Sequence, residues 1–193
     1  MTSPSLLIVP GLHDSGPAHW QTWLQQGDRH ALRVEQRNWT KPDLDRWAAR
    51  IGSTLERAGP GPWIAAAHSF GCLALVRYLA QQPRHGIAAA LLVAPADPAR
   101  FGVASLLPDG ALPVASMLVG SETDPWMSLA GARHWARRWE SQWVNLGAAG
   151  HINAEAGFGP LPLARRWVTS ARQRHERERR PERASFLEWS FAV

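Results

Sequence analysis

The stretch Trp63-Ile64-Ala65-Ala66-Ala67-His68-Ser69-Phe70-Gly71 carries an apolar run into a serine that has Ala67 and Gly71 two residues away on either side. It predicts a strand, a tight turn holding Ser69, and a helix that begins at once with Gly71-Cys72-Leu73-Ala74-Leu75-Val76. A serine at such a turn is pushed into a strained backbone conformation. Its hydroxyl then stands clear of the sheet edge, and the N-terminus of the following helix points at whatever it attacks. The small neighbours have a steric purpose, because a side chain larger than Ala at position 67 or 71 would collide across the turn. Ala67 occupies the place where Gly is usual, and its methyl group fits.

Outward from this turn, apolar runs alternate with helical periodicity. Leu6-Leu7-Ile8-Val9, stopped by Pro10-Gly11, reads as a strand buried on both faces. Residues from about Ala18 to Gln26 set Trp20, Trp23 and Leu24 on one side of a helix, and Leu32 and Val34 suggest a second strand. Leu44, Trp47, Ala48, Ile51, Leu55 and Ala58 recur every three or four residues behind Asp43, which predicts an amphipathic helix ended by Gly59-Pro60-Gly61-Pro62. Further strands are expected at Ile87 to Val93, Val114 to Val119 and Trp143 to Leu146. Helices are expected around Leu129 to Trp139 and from about Leu161 to Arg180. Strands alternating with helices predict a mostly parallel sheet of about six strands with helices on both faces.

Length and composition bound the function. A chain of 193 residues fits one domain with a sizeable core, taken here as residues 1–180, with 181–193 as a C-terminal extension able to pack on it. The single cysteine, Cys72, excludes an intrachain disulfide framework and a zinc cluster of several thiolates. No apolar segment is long enough for a membrane span, and Met1-Thr2-Ser3-Pro4 lacks the marks of a secretion signal, so a cytoplasmic location is expected. The net charge of +5 invites a nucleic-acid reading. Eight arginines do fall between Arg165 and Arg183, but Glu176, Glu178 and Glu182 interrupt them and no aromatic residues interleave with the basic core of the run. A solvated helical face is therefore expected, without nucleic-acid contact. The eleven tryptophans are mostly expected in the core.

In parallel sheets functional groups gather beyond the C-terminal ends of the strands. Those ends offer Pro10-Gly11-Leu12-His13-Asp14-Ser15-Gly16, then Ser69, then Gly120-Ser121-Glu122-Thr123-Asp124-Pro125, and last Gly147-Ala148-Ala149-Gly150-His151. Ser, Asp and His thus appear in the chain order of an α/β-hydrolase triad. A serine hydroxyl is a poor nucleophile until an imidazole takes its proton, and a carboxylate must hold that imidazole in the right tautomer. His151 and Asp124 are the candidates, with Glu122 and Asp97 as competing acids. The backbone N–H of Phe70 and of Leu12 are the candidate oxyanion donors. His13, His68, Trp126 and Ile152 are candidate pocket residues, with the side chains of Leu12 and Phe70 as further apolar lining; His19 reads as a structural histidine.

The segment Val9-Pro10-Gly11-Leu12-His13-Asp14-Ser15-Gly16-Pro17-Ala18-His19-Trp20, with Ala67-His68-Ser69-Phe70-Gly71 and Gly150-His151-Ile152-Asn153, resembles the small serine hydrolases of the retinoblastoma-binding and YdeN type. The match runs from about Leu6 to Val168. It implies a compact α/β-hydrolase with little or no cap, and by position it supports Ser69, Asp124 and His151 as a triad. The expected function is a cofactor-free, metal-free serine hydrolase acting on a small ester or amide through an acyl-serine. The alternative is a protein-interaction module on the same scaffold with weak hydrolysis. A nucleotide-binding domain is disfavoured, since neither Gly-x-Gly-x-x-Gly nor Gly-x-x-x-x-Gly-Lys-Ser/Thr is present.

Overall fold

The structure is a computed structural model that describes residues 3–179. The apolar runs form strands β1 (Ser5–Val9), β2 (Leu32–Arg33), β3 (Trp63–His68), β4 (Ile87–Val93), β5 (Ala115–Gly120) and β6 (Gln142–Asn145). Between and after them lie helices α1 (Trp20–Gln26), α2 (Leu44–Ala58), α3 (Phe70–Gln81), α4 (Leu129–Arg138) and α5 (Pro162–Glu178). All strand pairings are parallel, in the order β2-β1-β3-β4-β5-β6. This is the α/β-hydrolase-type architecture expected from the alternating pattern. The proposed extension 181–193 lies outside the described residues, and among the described residues no helix is long and apolar enough to cross a membrane.

The period of two along each strand divides the interior into two cores. On one face Leu7, Val9, Ala65, Ala67, Ala90, Leu92 and Leu118 pack against α2, α3 and α4 through Trp47, Ile51, Leu73, Ala132 and Trp139. On the other, Leu6, Ile8, Ile64, Ala66, Leu91, Val93 and Val119 meet α1 and α5 through Trp20, Leu24, Ala164, Trp167 and Val168. Five tryptophans are buried in these layers, at positions 20, 47, 63, 139 and 167. Part of the arginine excess is also structural: Arg165 stacks on Trp23 at 3.9 Å, and Arg172 pairs with Asp28 and donates to the carbonyl of Pro4, tying α5 to the chain's beginning.

Strand order reverses between β1 and β3, because the chain leaves β1 toward β2 and then crosses back to β3 on the other side. The loops after these two strands diverge there and leave a crevice. Gln21, fully buried on α1, closes its floor: its Nε2 donates to the carbonyls of Val9 and Ala66, and its Oε1 accepts from the Ser15 hydroxyl. One side chain thus ties a carbonyl of β1 to a carbonyl of β3.

Differences from the sequence reading are local. Helix α1 begins at Trp20 because His19 caps it, its Nδ1 accepting the Gln21 N–H at 3.1 Å. Two 3-10 turns, Pro98–Phe101 and Ala104–Leu106, are too short to produce periodicity and were not expected. The packing at position 71 is tighter than the small-residue rule requires. A Cβ there would sit 2.2 Å from the carbonyl oxygen of Pro10 and 2.6 Å from that of Val9, so even Ala does not fit. Gly71→Ala should therefore destabilise the fold by on the order of 3 kcal/mol, since backbone rather than a flexible side chain must yield. Urea unfolding checks this, and an unchanged midpoint would contradict it.

Candidate active site

Ser69 stands between β3 and α3 with φ 54° and ψ −127°, the strained conformation its turn requires. Gly11 permits the close approach of the β1 loop, since a Cβ at that position would lie 2.7 Å from Ser69 Cβ. The Ser69 hydroxyl is 2.9 Å from Nε2 of His151, which follows β6. The other ring nitrogen, Nδ1, lies 2.9 and 3.0 Å from the two carboxylate oxygens of Asp124, which follows β5. A carboxylate can only accept, so Nδ1 carries the proton and Nε2 is free to accept from the serine. The Asp124 and His151 side chains are 2% and 9% exposed, which shelters the pair from competing water.

Backbone and side-chain bonds hold both loops. Asp124 Oδ1 accepts the Trp126 N–H, Ser121 Oγ accepts the Ala149 N–H, and Thr123 Oγ1 accepts the Gly150 N–H. These last two bonds fasten the His151 loop to the Asp124 loop. On the opposite side, His13 and Asp14 take positive φ values of 66° and 62°. Asp14 is pinned by Arg33 at 2.7 Å, and the His13 N–H donates to the Trp39 carbonyl. Among the described residues, the N–H groups of Leu12 and Phe70 have no protein acceptor.

The hydroxyl opens on a cavity of about 360 Å³, whose lining includes Leu12, His13, His19, His68, Phe101 and Trp126. Three of its imidazoles form a row: His19 to His68 is 4.7 Å between ring centres, and His68 to His151 is 4.8 Å. Burial, then the Arg33 and His151 charges, pulls His19 down to about 4. Burial is also the main force holding His68 well below the usual imidazole range, with His151 and His19 adding to it. Burial likewise pushes the Cys72 thiol up, so this cysteine sits as an inert core residue.

The structure brings Ser69, His151 and Asp124 together and leaves the rival acids elsewhere. Glu122 accepts from Asn145, and Asp97 caps the Pro98–Phe101 turn through the Ala99 N–H. His13, His68, Trp126 and Leu12 line the cavity, and two other residues read from the sequence as lining do not. Ile152 is fully buried in the core beneath the sheet's α1/α5 face, because its positive φ of 47° turns it inward. The Phe70 ring is also fully buried, packed edge-on against Trp47 and Phe101, and does not line the cavity. Phe101, Asn153 and Glu155 line the cavity unforeseen. Phe101 sits in the segment after β4, so the strand-end rule could have found it.

A serine hydrolase family model matches residues 6–170. The chain belongs to the serine hydrolase family. Among solved structures, this hydrolase is 38% identical to a protein from Pectobacterium atrosepticum described as a YdeN-like hydrolase, over 89% of this chain and 91% of that one, with a TM-score of 0.84. It is 20% identical to the ydeN product of Bacillus subtilis over 87% and 98% of the two chains, with a TM-score of 0.71. It shares the fold of the B. subtilis carboxylesterase CesB, at 13% identity over 87% and 83% of the chains and a TM-score of 0.61. The search of curated proteins gave no match. The YdeN-type resemblance stands on these findings.

The depressed histidines give the hydrolase a signed acid sensitivity. Well above pH 6.5 both are neutral whether the chain is folded or not. As pH falls from 6.5 toward 4, the unfolded chain gains protons that folded His19 and His68 refuse, so stability declines by up to about 1.4 kcal/mol per pH unit for each. His19→Asn keeps an oxygen able to cap α1 and removes one titration. Denaturant unfolding at several pH values should show a shallower decline for this variant, and parallel curves would contradict the assignment.

Proposed function

We propose that this serine hydrolase cleaves small carboxylic esters, and amides more slowly, through an acyl-enzyme on Ser69. The observation that carries the proposal is the unbroken line from the Ser69 hydroxyl through both nitrogens of His151 to Asp124, with each step 2.9–3.0 Å. Ser69 Oγ attacks the carbonyl carbon while His151 Nε2 takes its proton, and Asp124 stabilises the imidazolium that forms. The negative charge gathering on the carbonyl oxygen is received by the N–H groups of Leu12 and Phe70, which have no other acceptor among the described residues. His151 returns the proton to the departing alcohol or amine, leaving an ester on Ser69. Water then attacks that ester with His151 as base, and release of the acid restores the serine.

The size of the cavity and the short connections around it favour short acyl chains or small aromatic groups. Leu12, Phe101 and Trp126 offer the apolar surface for them. Solvent reaches Trp126, which is 43% exposed, so the site is an open cleft and not an enclosed tunnel.

Steady-state hydrolysis of p-nitrophenyl acetate and labelling by a fluorophosphonate probe test the proposal together. Ser69→Ala and His151→Ala should each lose about four to six decades of turnover with the fold retained, because the members of such a set act as a unit. Asp124→Asn should lose about four decades or somewhat less, and Asp97→Asn should be silent. Probe labelling should vanish in Ser69→Ala. Wild-type protein that neither labels nor turns over at neutral pH would favour the interaction-module alternative.

A further inference from the structure

We propose that His68 is a positioning residue, whose imidazole N–H locks the loop carrying His151 at the height of the Ser69 hydroxyl. The inference rests on the proposed acyl-serine function and adds a residue to it.

The period of β3 decides where His68 points. Ala65 and Ala67 face the α2/α3 core, whereas Ile64 and Ala66 face α1 and α5, so His68 falls on the second side. The loop after β6 folds over that side, and Ile152 anchors it in the same core. His68 Nε2 lies 2.9 Å from the backbone carbonyl of His151. A carbonyl only accepts, so His68 carries its proton on Nε2 and donates it there. No other described group is bonded to this carbonyl. A single residue, adjacent in the chain to Ser69, is thus joined through one hydrogen bond to the residue that must take the serine proton.

The loop needs this tie. Its polar bonds to the Asp124 loop, at Gly147, Ala149 and Gly150, run sideways to Ser121, Glu122 and Thr123. They fix His151 relative to the acid but not relative to the nucleophile. Beside the His151–Ser69 hydrogen bond itself, His68 supplies a link from the backbone of the His151 loop to the strand that carries Ser69. His68 is also kept in place: its ring packs edge-on against His19 at 4.7 Å and lies near Trp20, and burial keeps it neutral, so it adds no second positive charge beside His151. Proton transfer depends steeply on distance, and a displacement of about 1 Å can cost two decades of rate.

The chemistry of the replacement separates positioning from bulk packing. The amide nitrogen of Gln reaches the place of Nε2, whereas that of Asn reaches only the place of Nδ1 and falls short of the His151 carbonyl. His68→Gln, His68→Asn and His68→Leu are compared by p-nitrophenyl acetate kinetics, by the rate of fluorophosphonate labelling and by thermal unfolding. The expected result is that Gln keeps kcat within about fivefold of wild type, while Asn and Leu lose about 10- to 100-fold in kcat and in labelling rate with KM little changed. Should Asn and Gln perform alike, or should activity follow melting temperature instead of the position of the donor, the positioning role is overturned. Loss of activity in Ser69→Ala with wild-type rates in all three His68 variants would reject this inference alone. Full activity in Ser69→Ala would reject the proposed function beneath it.

Discussion

Everything at the site depends on how closely the end of β1 approaches the turn after β3. The backbone at Ser69 is held at a positive φ, a conformation that costs a non-glycine residue about 1–3 kcal/mol. It persists because the neighbouring strand leaves the turn no alternative. Gly11 packs against Ser69 itself, and Gly71 lets the first turn of α3 slide under the carbonyls of Val9 and Pro10. Both glycines mark contacts between backbones, where no side-chain rearrangement could make room. The same contact brings the loop that holds Leu12 beside the turn that holds Ser69 and Phe70, and the N–H groups of Leu12 and Phe70 are the two proposed to receive the oxyanion.

Polar residues then hold this crevice open and in register. Gln21 bridges the ends of β1 and β3 from below. Arg33 steadies the loop after β1 by binding Asp14, the Ser15 carbonyl, Thr22 and Gln25 together. His19 has two duties: its Nδ1 caps α1, and its ring packs against His68. The Ser-Gly-Pro-x-His-Trp segment that carries the family resemblance is therefore a scaffold. It builds the wall behind Ser69, and its side chains include none of the three in the Ser69–His151–Asp124 line.

The sheet and its helices were legible because their signals repeat. The apolar run before Ser69, the spacing of Leu44, Trp47, Ile51 and Leu55, and the rule that function collects at strand ends led to the observed strands and to the three side chains that meet. What escaped was decided by single contacts. Ile152 follows His151 and looked like pocket lining, but one positive φ sends it into the core. Phe70 looked like apolar lining, but Trp47 and Phe101 enclose its ring in the core. The turn at Pro98–Phe101 has no periodicity, so the wall it supplies went unnoticed. His68 reads from sequence only as a pocket residue, since the carbonyl it binds lies 83 positions away.

The central claim is that Ser69 becomes covalently acylated by an ordinary ester, with His151 governing both formation and breakdown of that bond. The most direct measurement is rapid acid quenching during turnover of p-nitrophenyl acetate, followed by intact-mass and peptide analysis. The account predicts an acetyl group on the peptide containing Ser69, present during turnover and gone once substrate is exhausted. Turnover without any adduct, or an acetyl group on another residue with Ser69 unmodified, would contradict it.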